Sequence, residues 1–388
     1  MKKICVITAT RAEYGLLYPV IEKIQNDSEL ELDLIVSGTH LSKSHGYTKQ
    51  EILEDNVPIA SELEILLASD TPSSVSKAMA LAINGLSDYL KNNRPDFAII
   101  LGDRYEMLAF AIALYNENIP IAHLNGGEIT EGALDDNYRH CLTKLSYLHF
   151  ANCEPHRQRI IQMGEEPCRV YNVGDTSLDN IKNIELCSLD ELERDLGIQL
   201  KDKKIIVVTF HPVTTQENNE EQLKELIEAM KTFPDYQYVV TKANADAGGV
   251  VINEVWESVQ HELPNACVVS SLGMRRFLSL LSYSTMMLGN SSSGIYEAPA
   301  FKVPTVNIGD RQKGRLRGET IIDCRGEKDQ IISAMELAIS EEFQRKVKES
   351  HNIFGDGHAS EQIVRIIKEY LLENKVKLPK AFYDIKGE

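Results

Sequence analysis

The chain has 388 residues, 41 Lys or Arg against 58 Asp or Glu, a formal net charge of −17. A surface this acidic has no general attraction for nucleic acid or an anionic membrane, so any polyanion must be gripped locally, by placed cations and backbone N–H groups. With 43% hydrophobic residues evenly spread, disorder is not expected, and no run approaches the roughly 20 apolar residues of a membrane span.

The first ten residues hold only a four-residue apolar run, short of the roughly 7–15 that a signal peptide needs. They read as a buried strand, Ile4–Thr8. Further strands are expected at Leu32–Ser37, Phe97–Leu101, Pro120–Leu124, Leu148–Asn152 and Val170–Val173, with helical patterns at Leu17–Ile24, Ser76–Leu90 and Met107–Tyr115. Continuous apolar runs, rather than alternating ones, are what a parallel sheet covered on both faces requires. The pattern lapses over Asp175–Lys201, which is charged and helical in character. It restarts with Ile205–Phe210, Tyr238–Thr241, Val268–Ser270, Met286–Leu288 and Val303–Ile308. In the helix predicted over Leu223–Phe233, Leu223, Leu226, Ile227, Met230 and Phe233 form one apolar stripe. A last amphipathic helix carries Ile363, Ile366, Ile367, Tyr370 and Leu371, and the polar tail Asn374–Glu388 follows.

The expected fold class is therefore α/β: two Rossmann-type, doubly wound domains. The first takes residues 1–174 and is joined by the C-terminal stretch 360–388; the second takes 175–359. Seven cysteines (Cys5, Cys141, Cys153, Cys168, Cys187, Cys267 and Cys324) are scattered without zinc spacing. They read as reduced thiols of a cytoplasmic protein.

Polar motifs follow the strands, where open α/β sheets bind ligands. Gly102-Asp103-Arg104 follows Phe97–Leu101; alone, it could be a turn with Asp103 as a helix N-cap. His123-Leu124-Asn125-Gly126-Gly127-Glu128 follows the next strand, with glycines that let backbone approach a ligand and an imidazole and a carboxylate for proton transfer. Asp135 and Arg139, four residues apart, would share a helix face, as a surface ion pair or as part of a site. In the second half, His211 follows a strand, as does Asn244 in Asn244–Gly249. Gly289-Asn290-Ser291-Ser292-Ser293-Gly294 leads from a strand into an expected helix, whose N-terminal N–H groups and serine hydroxyls suit phosphate. Glu297, one turn inside that helix, could accept hydrogen bonds from a ribose diol. Arg311, Lys313, Arg315 and Arg317 put four cations in seven residues, either a solvated loop or a diphosphate clamp.

Taken in order, Thr10-Arg11-Ala12-Glu13-Tyr14-Gly15, Gly38-Thr39-His40, Gly102-Asp103-Arg104, the H-x-x-G-G-E block, Asp135-Asp136-x-x-Arg139-His140, His211-Pro212-Val213-Thr214-Thr215 and Gly289–Gly294 resemble the hydrolysing UDP-N-acetylglucosamine 2-epimerases of bacterial sialic and legionaminic acid pathways. The resemblance spans most of the chain. It implies a GT-B-like fold with an interdomain cleft, no metal and no cofactor, a UDP-sugar as substrate with UDP as product, and a homodimer or homotetramer. The reaction it implies is loss of UDP by anti elimination across C1–C2, giving 2-acetamidoglucal, then hydration to free N-acetylmannosamine. By position, Asp103 and Asp135 match catalytic carboxylates and His211 the imidazole near the diphosphate. Arg139 and His40 match sugar-site residues; Arg11, Asn244, Ser291, Ser292, Glu297 and Arg311 match UDP-binding ones. Several family members read H-x-E-G-G-E where this chain has Asn125, which cannot exchange protons. Glu128 or Glu131 then fills that role, or Asp103 and Asp135 manage alone; Glu128, directly after the paired glycines, is the preferred candidate. Three other readings fit the same resemblance or fold: a UDP-N,N′-diacetylbacillosamine 2-epimerase, a GT-B glycosyltransferase, and an inactive nucleotide-sugar sensor.

Overall fold

A computed structural model of the chain describes residues 1–43, 47–67, 69, 71–130, 134–212, 219–242, 249–270 and 272–385. Contacts divide it into two compact units, Met1–Asn180 with Phe354–Glu388, and Ile181–Ile353.

The first unit is built on a seven-stranded sheet: β1 (Lys2–Thr8), β2 (Leu30–Ser37), β3 (Ile59–Leu63), β4 (Phe97–Leu101), β5 (Ile121–Leu124), β6 (Leu148–Ala151) and β7 (Val170–Asn172), in the order β3-β2-β1-β4-β5-β6-β7. The second has six: β8 (Lys204–Thr209), β9 (Tyr236–Thr241), β10 (Ala266–Val269), β11 (Ser284–Gly289), β12 (Thr305–Ile308) and β13 (Ile321–Cys324), in the order β10-β9-β8-β11-β12-β13. The pairings described are all parallel. Both sheets reverse winding beside their first strand, between β1 and β4 and between β8 and β11, which opens a crevice at the strand ends.

In β1, Ile4 and Val6 pack on one face with Leu17, Val20, Ile21 and Ile24 of the helix Arg11–Gln25, while Cys5 and Ile7 pack on the other with Leu86, Phe110 and Leu114. Both faces are dry, which accounts for the unbroken apolar run. β3 and β13, each at a sheet edge, escaped the sequence reading because neither is a dry, unbroken apolar run. Ile59–Leu63 alternates half-buried and exposed positions, and Ile321–Cys324 is only partly buried. Among the described residues, no helix is long and apolar enough to cross a membrane.

The charged stretch Asp175–Lys201 forms two helices, Thr176–Asn183 and Leu189–Leu196. The second opens on a Ser188/Glu191 capping box and closes on Gly197 in the left-handed conformation. The division falls inside the first, after Asn180, so that residues 176–180 stay with the N-terminal unit. Buried Asp179 explains this: its carboxylate accepts the backbone N–H groups of Ala359 (3.0 Å) and Ser360 (2.9 Å). It thereby fastens the start of the helix Ala359–Leu372, whose Ile363, Ile366, Ile367, Tyr370 and Leu371 complete the first unit's core. The tail continues over the same unit. The Tyr383 N–H donates to Gly164 O (2.9 Å), and the Lys380 ammonium donates to buried Glu165 (2.6 Å).

Candidate active site

The end of β4 places Asp103 in a charge cluster, not at a helix cap. The helix that follows is Tyr105–Asn116, and its N-cap position is Arg104. Asp103 instead forms an ion pair with Arg139, whose side chain is only 3% exposed. Arg139, from the helix Leu134–Leu145, also donates to Glu128 O (3.1 Å), Thr130 Oγ1 (3.2 Å) and Asp136 Oδ1 (3.2 Å). Of the two readings open for Asp135 and Arg139, the surface ion pair is not the one formed: Arg139 instead contacts Asp136 and, through the fold, Asp103. Asp135 is half-buried, and its pKa is raised by burial and then by the Asp103 charge, with Arg104 and Arg139 opposing. A carboxyl group whose proton affinity is raised by burial beside a second carboxylate suits proton transfer.

The β5 end shapes the same face. Asn125 takes φ +60°, with its N–H bonded to Phe150 O (3.0 Å). Gly127 takes φ +80°, and a Cβ there would lie 2.3 Å from His156 O. Glu128 follows, half-buried. His123 is not a proton-transfer group. It is fully buried, its Nε2 is 2.8 Å from Gly102 O and its Nδ1 3.2 Å from Thr143 Oγ1. Burial lowers its pKa to about 3, so it stays neutral and ties the β4 end to the Leu134–Leu145 helix. His40 is likewise fully buried, with Nε2 3.0 Å from Thr8 Oγ1 and Nδ1 2.8 Å from Thr48 Oγ1, which places it behind the strand ends rather than on their surface. Arg11 is 72% exposed and pairs with Glu51 (3.1 Å).

A further acidic group, at the neighbouring end of β1, was not singled out in the sequence. Glu13 caps its helix by accepting the N–H groups of Ala9 (2.9 Å) and Thr10 (3.0 Å), and burial still raises its pKa to about 7. Arg104 lies between Glu13 (3.8 Å) and buried Glu106 (2.7 Å). The capping-box spacing Thr10–Glu13 was the available signal for Glu13; nothing in the sequence pairs Arg104 with either carboxylate.

In the second unit, Asn290 stitches the crevice between β8 and β11. Its Oδ1 accepts the His211 N–H (2.7 Å), its Nδ2 donates to His211 O (2.8 Å), and its own carbonyl accepts from Arg311 (3.2 Å) and Gln312 (2.8 Å). A cavity of about 420 Å³ opens here, with His211, Ser291, Ser292, Glu297 and Arg311 all in its wall beside Lys242 and Ser270. That volume is in the range of small-ligand sites. The helix expected after the serines is a single turn, Ser293–Tyr296, and Glu297 stands at its C-cap rather than one turn inside it; Pro299, with no N–H to donate, suits the tighter turn that follows. The serines consequently offer hydroxyls and loop N–H groups rather than a long helix end. Of the four clustered cations only Arg311 lines the cavity. Arg317 is bound to Asp323 (2.8 Å), Arg315 lies over the Tyr296 ring, and Lys313 is exposed. Asn244 and Glu131 lie outside the described residues.

Comparison with known proteins gives a family match over residues 22–368, to the family described as UDP-N-acetylglucosamine 2-epimerase. The chain is 42% identical over 346 residues, 89% of each chain, to a GDP/UDP-N,N′-diacetylbacillosamine 2-epimerase (hydrolyzing) of Campylobacter jejuni. It is 37% identical to polysialic acid biosynthesis protein P7 of Escherichia coli, over 99% of this chain and 98% of that one. The crystal structure of a Neisseria meningitidis UDP-GlcNAc 2-epimerase bound to UDP-GlcNAc shares the fold, with a TM-score of 0.79 at 19% identity, covering 95% of this chain and all of that one.

Proposed function

We propose, from the premise that the chain belongs to the UDP-N-acetylglucosamine 2-epimerase family, that it is a hydrolysing UDP-sugar 2-epimerase converting UDP-N-acetylglucosamine and water into N-acetylmannosamine and UDP. The observation that carries this reading is the cluster of Asp103, Asp135 and Arg139. The C2 proton of the sugar is not acidic, so its removal must be coupled to departure of UDP, and that requires a positioned carboxylate. In the elimination, a carboxylate takes the C2 proton, the C–H pair becomes the C1=C2 bond, and the C1–O pair leaves with UDP. In the hydration, a carboxylic acid returns a proton to C2 from the opposite face and water bonds to C1. Asp103, Asp135 and Glu128 are the groups assigned to this proton traffic. His211, Ser291, Ser292, Glu297 and Arg311 are assigned to UDP, where hydroxyls and a guanidinium stabilise charge developing on the leaving diphosphate. Asn244, Arg11, Arg139 and His40 complete the assignment from the resemblance, His40 by positioning Thr8 and Thr48.

A second reading changes only the sugar: UDP-N,N′-diacetylbacillosamine, the UDP form of the GDP/UDP-N,N′-diacetylbacillosamine named for the C. jejuni relative. Incubation with each UDP-sugar, with products identified by NMR, tests both. Free N-acetylmannosamine from UDP-N-acetylglucosamine supports the first, and turnover of the diacetamido sugar alone supports the second. Turnover of neither overturns the assignment.

A further inference from the structure

β6 ends at Ala151, and the residues that follow it build a proton-handling arrangement outside the groups assigned above. Asn152, His156 and Asp175 are 1%, 3% and 5% exposed. Asn152 Nδ2 donates to Asp175 Oδ2 (3.1 Å), and Asn152 Oδ1 lies 2.6 Å from His156 Nδ1. A carboxylate only accepts, so the amide must turn its N–H₂ to Asp175 and its oxygen to the imidazole. That oxygen also only accepts, so Nδ1 carries the ring proton and Nε2 the lone pair. Asp175 is itself held, accepting the Ser177 N–H (2.9 Å) and donating its own N–H to Phe354 O (2.7 Å). Among the described residues, Nε2 has no hydrogen-bond partner, and it is not among the atoms sealed from solvent.

The location is that of the candidate site. The helix Glu154–Gln162, which carries His156, starts at the end of β6, the neighbour of β5. His156 O packs against Gly127, Arg159 donates to Gly127 O, and Arg139 donates to Glu128 O. Burial, then the charges of Arg159 on its own helix and Arg139 on the Leu134–Leu145 helix, lower the imidazole pKa to about 4. The remaining titratable neighbours are Asp175, acting through Asn152, Glu128 on the β5 loop, and Cys153, a thiol raised to about 11 by burial and so neutral.

We propose, resting on the elimination–hydration reading, that His156 is a further catalytic residue: the general base that takes the proton of the water adding at C1 in the hydration step. A weak base is a poor choice for an unactivated C2–H. Water bonding to an electron-deficient C1 becomes strongly acidic as the bond forms, and for it a weak, neutral base suffices. The step balances. A carboxylic acid protonates C2 of the glycal, the water oxygen gives a lone pair to C1, the water proton moves to Nε2, and the imidazolium then releases it to solvent. The two guanidinium charges favour that release.

The test measures UDP, free sugar and glycal separately for wild type, His156→Gln and Asp175→Asn, with melting temperatures. The expected result is UDP release within a few-fold of wild type, sugar release slowed by about 10²-fold or more, and glycal accumulating. Asp175→Asn, which keeps the shape but no longer enforces the tautomer, shows the same imbalance more weakly and carries the test should His156→Gln fail to fold. UDP and sugar release that stay equal, whether normal or reduced together, overturn the proposal. A wild type inactive on both UDP-sugars overturns the reaction reading instead.

Discussion

Asp103 and Arg139, 36 residues apart in the chain, form an ion pair in which the guanidinium is almost wholly buried and the carboxylate keeps 31% of its side chain exposed. The exposed member is therefore the one able to meet a substrate, and the buried member is held by Glu128 O, Thr130 and Asp136 as well. Asp103→Asn keeps the shape but not the proton affinity. A fall of about 10²–10⁴ in turnover is expected, with UDP binding intact. Initial rates and UDP titration check it; turnover near wild type removes Asp103 from the mechanism.

Glu128→Gln leaves the backbone carbonyl that holds Arg139 in place, so its effect isolates the carboxylate. If Glu128 does the work that Asn125 cannot, the variant is as damaging as Asp103→Asn and slows deuterium incorporation at C2 in D₂O. Normal rate and normal incorporation would leave the proton traffic to Asp103 and Asp135.

Two glycines separate backbone strain from steric overlap. At Gly102, φ is +84° and a Cβ meets nothing within 4 Å, so Gly102→Ala should cost only the left-handed backbone, about 1–2 kcal/mol. Gly127→Ala adds a Cβ 2.3 Å from a backbone oxygen, and a larger loss, about 3–5 kcal/mol, is expected. Denaturant melts of the two variants compare them directly; equal losses would mean the Gly127 loop relaxes freely.

Acid should unfold this protein early. Burial is the first cause lowering His40, His149 and His156 to about 4 and His123 to about 3. Unfolded histidines titrate near 6.5. Below that pH the unfolded chain binds protons the folded one refuses, so stability falls as pH drops from about 6.5 towards 4, by up to about 1.4 kcal/mol per pKa unit per histidine. Glu165, lowered to about 2 by His149, Lys380 and Lys144 against its burial, adds a loss below about 4.5. Glu13, raised to about 7, has the opposite sign, its contribution being present below 4.5 and lost as pH rises through 7. Between about pH 6.5 and 5 the four histidines outweigh Glu13, which leaves a net fall. A melting temperature unchanged between pH 7 and 5 would contradict it.

Lys380 reaches Glu165 (2.6 Å) and the carbonyls of Ser146 (2.5 Å) and Thr143 (3.3 Å) at the end of the Leu134–Leu145 helix. Glu165 keeps Lys144 and His149 when Lys380 is lost. Lys380→Met should therefore cost about 1–3 kcal/mol rather than unfold the unit. A chemical melt measures it, and no change would mean the tail is not fastened there.

What the sequence reveals follows burial. β1, β4 and β8 are dry on both faces and read as unbroken apolar runs; β3 and β13, at sheet edges, lack that signature. Asp103, Glu128 and His211 were visible because each follows such a run. The partner of Arg139 was not, since spacing along a helix points to Asp135 while the contact to Asp103 comes from the fold. The same holds for Asn290 and His211, 79 residues apart, and for Asp175, Asn152 and His156, which meet across two strand ends.

The helix Ala359–Leu372 covers the helix Arg11–Gln25, so the first unit made on the ribosome is the last to be finished. While residues 181–353 are synthesised, the side of the helix Arg11–Gln25 that meets the helix Ala359–Leu372 has no cover, whereas the second unit already holds its whole sequence once residue 353 has emerged. Folding order should then run against the order of synthesis. The waiting apolar face is where a chaperone would hold the nascent chain, and a premature stop before residue 359 would strand the N-terminal half while sparing the C-terminal one.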